Sequence, residues 1–123
     1  MRQFVIIVFE FVLGGCNSAK DIGGMYRLIS DDPGLQGVTL EIKDTRVSGQ
    51  GPCNRYFGSI LQSDIGSSSI LVGPLASTKM ACPHLSAEHR YFQELQRASM
   101  VEVVPNGLIL TTSDETKLVF KYR

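Results

Sequence analysis

The stretch PHLSAEHRYFQELQRASMVEVVPNGLILTT, residues 83–112, decides the fold. Its first half has a helical period. Pro83 suits a first helical turn, where its missing N–H costs nothing. Leu85, Phe92 and Leu95 form an apolar stripe with Tyr91 and Ala98 beside it, and Arg90, Gln93, Glu94 and Arg97 make the wet face. The spacing predicts one helix over residues 83–98. The second half switches to period two: Val101 and Val103 flank Glu102, and a further apolar run begins at Leu108. Asn106-Gly107 between the two runs predicts a two-residue type I′ hairpin that sets 101–104 beside 108–112.

The alternation extends in both directions. Leu118, Phe120 and Tyr122 alternate with Lys117 and Lys121, and Val38, Leu40 and Ile42 alternate with Thr39, Glu41 and Lys43. Strands are expected near 56–61 and 70–72, with a turn at Gly66 and the serines 67–69 between them. Asp31-Asp32-Pro33-Gly34 reads as a loop. The order is strands, helix, strands, with no βαβ alternation. That order predicts an α+β fold: a strongly curved antiparallel β-sheet, a partial barrel, packed around one α-helix. A chain of 123 residues has room for one such core.

The N-terminus carries an address. Arg2 precedes an apolar run over 4–13, interrupted only by Glu10. Ten residues of helix span about 15 Å, half the hydrocarbon core, so the run suits a signal-peptide h-region and not a membrane span. Leu13-Gly14-Gly15-Cys16 follows and resembles a bacterial lipobox, in which the cysteine thiol takes a diacylglycerol. The expected layout is a signal peptide over 1–15, lipidated Cys16 with a small polar tether over 16–23, and a domain over 24–123. A carboxyl group at Glu10 is costly in the bilayer and burdens processing. Asn17, rather than Asp, is compatible with sorting to the outer membrane, facing the periplasm.

The remaining cysteines, Cys53 and Cys82, would then meet an oxidising compartment, where they are expected to form a disulfide; the alternative is two buried free thiols. Charge is balanced, Lys plus Arg against Asp plus Glu at 12 each. Balance argues against nucleic acid as a partner and gives no polybasic membrane patch, although net charge leaves local patches possible.

Two motifs carry a family resemblance. The first is VSGQGPCNRYFG over 47–58, and the second is GPLASTKMAC over 73–82, followed by Glu88 and the Tyr91-Phe92 helix. Together they resemble the META domain family, whose bacterial members include heat-inducible lipoproteins of the HslJ type. The resemblance marks Gly49, Gly51, Asn54, Arg55, Gly58, Thr78, Met80 and Glu88 as its motif residues, and covers nearly all of 24–123. It implies a role in envelope stress tolerance or in surface and secretion-related interactions. Pro52, Lys79 and Met25-Tyr26 depart from its usual residues.

The motif residues read as structural. Gly49 and Gly51 permit positive φ or close backbone approach, and Asn54 can close a turn through its side chain. Glu88 falls on the apolar stripe, where a carboxylate needs a partner. Arg55 and Lys79 are its candidate partners; the alternative is a solvated Glu88 at the positive end of the helix dipole. Cys82, His84 and His89 do not have the spacing of a zinc frame. No nucleophile elbow, P-loop or dinucleotide fingerprint appears. The expectation is a protein that is not an enzyme and has no cofactor, no metal and no catalytic residue. Its expected partners are a membrane, through Cys16, and an envelope protein. The alternative is a binding module or carrier holding an apolar ligand or peptide inside the curved sheet.

Overall fold

The computed structural model describes residues 22–64 and 66–123. The h-region, the lipobox and Cys16 lie outside the described residues. Strands β1 (Gly24–Ile29), β2 (Thr39–Lys43), β3 (Arg46–Gln50), β4 (Arg55–Asp64), β5 (Ser69–Val72) and β6 (Ala76–Ser77) precede helix α1 (Leu85–Gln96). Strands β7 (Ala98–Val104), β8 (Gly107–Thr112) and β9 (Lys117–Tyr122) follow it. All strand pairs are antiparallel.

The sheet runs β3-β2-β1-β9-β8-β7-β5-β4, and β3 also pairs with β4. That last ladder, Arg46↔Ser59 through Gln50↔Arg55, closes eight strands into a barrel. The partial barrel expected from sequence is therefore a closed one. Strand β3 lies inside the first motif, where glycines and Pro52 hide the alternation of Val47 from its neighbours. Strand β4 serves both flanks: its first half pairs with β3 and with the short β6, its second half with β5 across a bulge between Ile60 and Gln62.

Alternate positions face inward on each barrel strand. Tyr26, Leu40, Val47, Tyr56, Val72, Val101, Leu110 and Phe120 are all buried. Ile22, read as tether, is also buried at 6% exposure and accepts a 2.6 Å hydrogen bond from the Tyr26 hydroxyl, so the folded part begins before Gly24.

The helix covers one opening of this core and packs against β5, β8 and the 3-10 turn Pro33–Leu35. Its inward face is Ala87, Glu88, Tyr91 and Leu95, rotated slightly from the predicted stripe, with Phe92 at the margin. Pro83 and His84 form the turn that precedes it, and Arg97 ends it by donating to the Gln93 and Glu94 carbonyls.

The β7–β8 hairpin has the expected register, Val101↔Leu110 and Val103↔Leu108. Its turn differs. Val104 pairs with Gly107, so Pro105-Asn106 form the loop, and neither Asn106 nor Gly107 has positive φ. The expected type I′ turn is not formed, because Pro105 holds φ near −65°. Gly107 instead sits in β8 opposite Lys121, where a Cβ would run into the Phe120 carbonyl.

Candidate functional site

The two motifs meet at Glu88. Its carboxylate is 1% exposed, inside a β-rich core, on the first turn of α1. Oε2 accepts the backbone N–H of Cys53 at 2.8 Å and of Asn54 at 2.6 Å, and Oε1 accepts Asn54 Nδ2 at 2.7 Å. Neither Arg55 nor Lys79 is its partner; both side chains are exposed. Nor is Glu88 solvated. Three N–H donors from one turn do the work that sequence reasoning assigned to a cation. Such charge-assisted bonds can offset the desolvation of a buried carboxylate.

Asn54 carries the network on. Nδ2 also donates to the Met80 carbonyl at 3.0 Å, while Oδ1 accepts the Met80 N–H at 2.6 Å and the Thr78 hydroxyl at 2.8 Å. Arg55 contributes its backbone, exchanging bonds with Thr78. Cys53 and Cys82 are disulfide-bonded with Cα atoms 5.8 Å apart. Three separate segments, 51–55, 78–82 and the start of α1, are thus clasped at one point by bonds of covalent, charged and neutral kinds.

Gly51 shows how tight the clasp is. A Cβ there would lie 2.6 Å from Glu88 Oε2. Neither Gly49 nor Gly51 has positive φ, so close approach is the reason for both. Gly49 lets the Tyr56 hydroxyl reach the Thr39 carbonyl at 2.6 Å, and Gly58 makes room for Leu75.

Beside the clasp lies a second buried polar contact that the sequence did not announce. The hydroxyls of Tyr56 and Tyr91 are 2.7 Å apart, with the rings edge to face. Burial pushes both phenols well above their ordinary value of 10.0; each ring's proximity to the other adds to the effect at Tyr91. A phenol whose folded pKa is raised contributes its stability fully below pH 10 or so, and loses it as pH rises toward the folded value. The domain should therefore unfold in alkali above about pH 10. The phenolate absorbance of two of its four tyrosines should appear only together with that unfolding. Four tyrosines ionising while far-UV circular dichroism stays native would show that Tyr56 and Tyr91 are open to water.

The interior expected to hold an apolar ligand is occupied by the protein's own core. An opening of about 310 Å³ lies instead on the surface, between α1 and residues 75–81, walled by Leu75, Met80, Leu85 and Phe92. Met80 is 64% exposed there, its backbone tied to Asn54 and its side chain free to project. His84 and His89 are exposed. Among the described residues no cluster of His, Cys, Asp and Glu is placed to hold a metal, and no helix is long and apolar enough to cross a membrane.

Known proteins bear on this geometry in three ways. The META domain profile matches residues 19–123. No curated protein matches the chain. Among solved structures, an NMR structure of a protein from Burkholderia xenovorans superposes with a TM-score of 0.67 at 22% identity, covering 87% of each chain. A duf4847 family protein from Bacteroides vulgatus superposes at 0.66 with 12% identity, covering 83% of this chain and 94% of that one. At these identities the structures speak for the fold alone. The profile match spans both clasp motifs and every described strand, so the chain belongs to the META domain family.

Proposed function

We propose that this chain is a non-enzymatic envelope lipoprotein: a META domain tethered by diacylglycerol on Cys16, on the outer membrane facing the periplasm. Its role in this reading is envelope stress tolerance or surface and secretion-related interaction, as in HslJ-type lipoproteins. The observation that carries the non-enzymatic part is the inward turn of the motif. A general base or nucleophile must reach a reacting atom. Glu88 and Asn54, the motif's chemically capable side chains, are 1% and 2% exposed and spend their polar atoms on the chain itself. That supports a structural motif and leaves the outer surface as the functional part.

The anchor is tested by labelling. Cells expressing the parent chain should incorporate an alkynyl palmitate analogue and hold the protein in the membrane fraction. Cys16→Ala should abolish the label and leave the leader uncleaved. Equal labelling of the two would overturn the lipobox reading. A second reading, a binding module for an apolar peptide or ligand, is favoured by exposed Met80 in the groove beside α1, since methionine adapts to varied apolar partners.

A further inference from the structure

Balanced composition hides an uneven surface. The outward positions of β1, β2 and β3, the start of β4 and the carboxyl end of β9 carry Arg27, Lys43, Arg46, Arg55 and Lys121, with Arg123 just past β9, against the carboxylates Glu41 and, in the β2–β3 turn, Asp44. The other described cations are Lys79, Arg90, Arg97 and Lys117, and they share the rest of the domain with eight carboxylates. The domain is thus neutral in sum and polarised in space. Its ion pairs lie on the acidic side, Arg90–Asp32, Arg97–Glu94 and Arg97–Asp114. Among the described residues, none of the six cations of the basic face is in an ion pair.

The strand registers sharpen the point. Arg27 lies directly opposite Lys121, and Lys43 directly opposite Arg46. Like charges opposed across a ladder destabilise a sheet. Arg55 and Arg123 line one shallow depression, and Lys43 and Arg46 line its neighbour, which shares Glu41 and Ser48 with it. The arrangement costs the isolated domain stability, a cost that an anionic surface lying against it would offset.

From this face we infer that the domain docks on anionic lipid headgroups through the outer surface of β9, β1, β2 and β3. The inference rests on the anchored reading above in one respect, the length of the tether. Six residue steps separate Cys16 from buried Ile22. They span roughly 20 Å at full extension, less than the roughly 30 Å width of a domain this size. The chain enters the fold at β1, which is the strand that carries Arg27 in the middle of the basic face. A lipid on Cys16 therefore holds this face near the headgroups. The surface potential of an anionic leaflet extends about a Debye length, 8–10 Å at physiological salt.

The chain has no tryptophan, so a single introduced indole reports position. Met25→Trp places it on the basic face, and Met100→Trp places it on β7; both positions are half exposed. The full chain is reconstituted into vesicles of phosphatidylcholine alone, or of an equal mixture with phosphatidylglycerol, each doped with a dansyl headgroup lipid. Vesicle-bound protein is isolated by flotation before each measurement, so the readout is orientation. Energy transfer from Met25→Trp should rise in the anionic vesicles and fall again with added salt, while transfer from Met100→Trp stays low. Arg27→Gln with Lys121→Gln should lower the ratio of docked to undocked protein on the order of tenfold or more, with a melting temperature unchanged or raised. Lys79→Gln with Arg97→Gln, the same change of charge on the other side, should leave transfer as in the parent.

Equal transfer in the two vesicle types would overturn the docking face. So would indifference to Arg27→Gln with Lys121→Gln, or an equal loss from the control pair. Loss of palmitate labelling alongside intact transfer would remove the anchor and keep the face.

Discussion

Glu88→Gln should destabilise the domain by about 1.5–3 kcal/mol, the range for losing buried hydrogen bonds to a charged acceptor. The amide has one acceptor where the carboxylate has two. If its nitrogen replaces Oε2, it confronts the backbone N–H groups of Cys53 and Asn54; if it replaces Oε1, it confronts Asn54 Nδ2. Asn54 cannot escape by flipping, because its Oδ1 is committed to Thr78 and Met80. Every arrangement therefore leaves buried donors facing donors. Urea unfolding should show a lower midpoint with an unchanged slope. The melting temperature should fall on the order of 15 °C. A Glu88→Gln variant within 1 kcal/mol or so of the parent would mean the site is hydrated and not the closed clasp described above.

Removing the Cys53–Cys82 bridge should have an effect of similar size by a different route. The two cysteines are 29 positions apart. Closing a loop of that length removes about 3–4 kcal/mol of chain entropy from the unfolded state. Cys53→Ala with Cys82→Ala, or reduction of the parent, should lower the melting temperature on the order of 15 °C. The folded state should keep its shape, because Asn54 still holds Thr78 and Met80 to the same turn. Reduction that leaves the melting curve unmoved would count against the bridge. Combined with Glu88→Gln, the two losses should not add, since Cys53 belongs to both contacts.

Most of the strands, the helix and the cysteine pairing were legible in the sequence. The alternation at Leu40 and Ile42, and at Leu118 and Phe120, is a direct record of which side of the sheet faces the core. Barrel closure was not legible. It depends on β3, where Val47 is followed by Ser48, Gly49 and Gln50, residues that show no strand preference; their geometry is set by the Gly49 approach to Thr39 and by pairing with β4. The clasp was legible in its members and not in its bonding. Glu88 stood out because a carboxylate on an apolar stripe demands a partner. Sequence suggested the cationic side chains Arg55 and Lys79, whereas two of the three donors are the peptide N–H groups of Cys53 and Asn54, which any residue but proline could supply, and the third is the neutral Asn54 amide. The uneven charge was invisible for a related reason: Arg27 and Lys121 are far apart in the chain and meet only through the β1–β9 ladder.

That ladder has a consequence for the order in which the molecule can be assembled. Tyr26 pairs with Tyr122, so the first strand is zipped to the last. A polypeptide is made, and threaded through any pore, from its amino end. β1 emerges early and can form a hairpin with β2, yet its other flank waits for almost the whole remaining chain. Until residues 117–122 arrive, β1 and β8 both present unpaired peptide groups to whatever is near, which is how nascent strands come to pair with neighbours. The final six-residue strand is thus a latch: the cylinder is completed in one late step, and a chain cut short by a few residues at its carboxyl end would be left as an open sheet with two sticky margins.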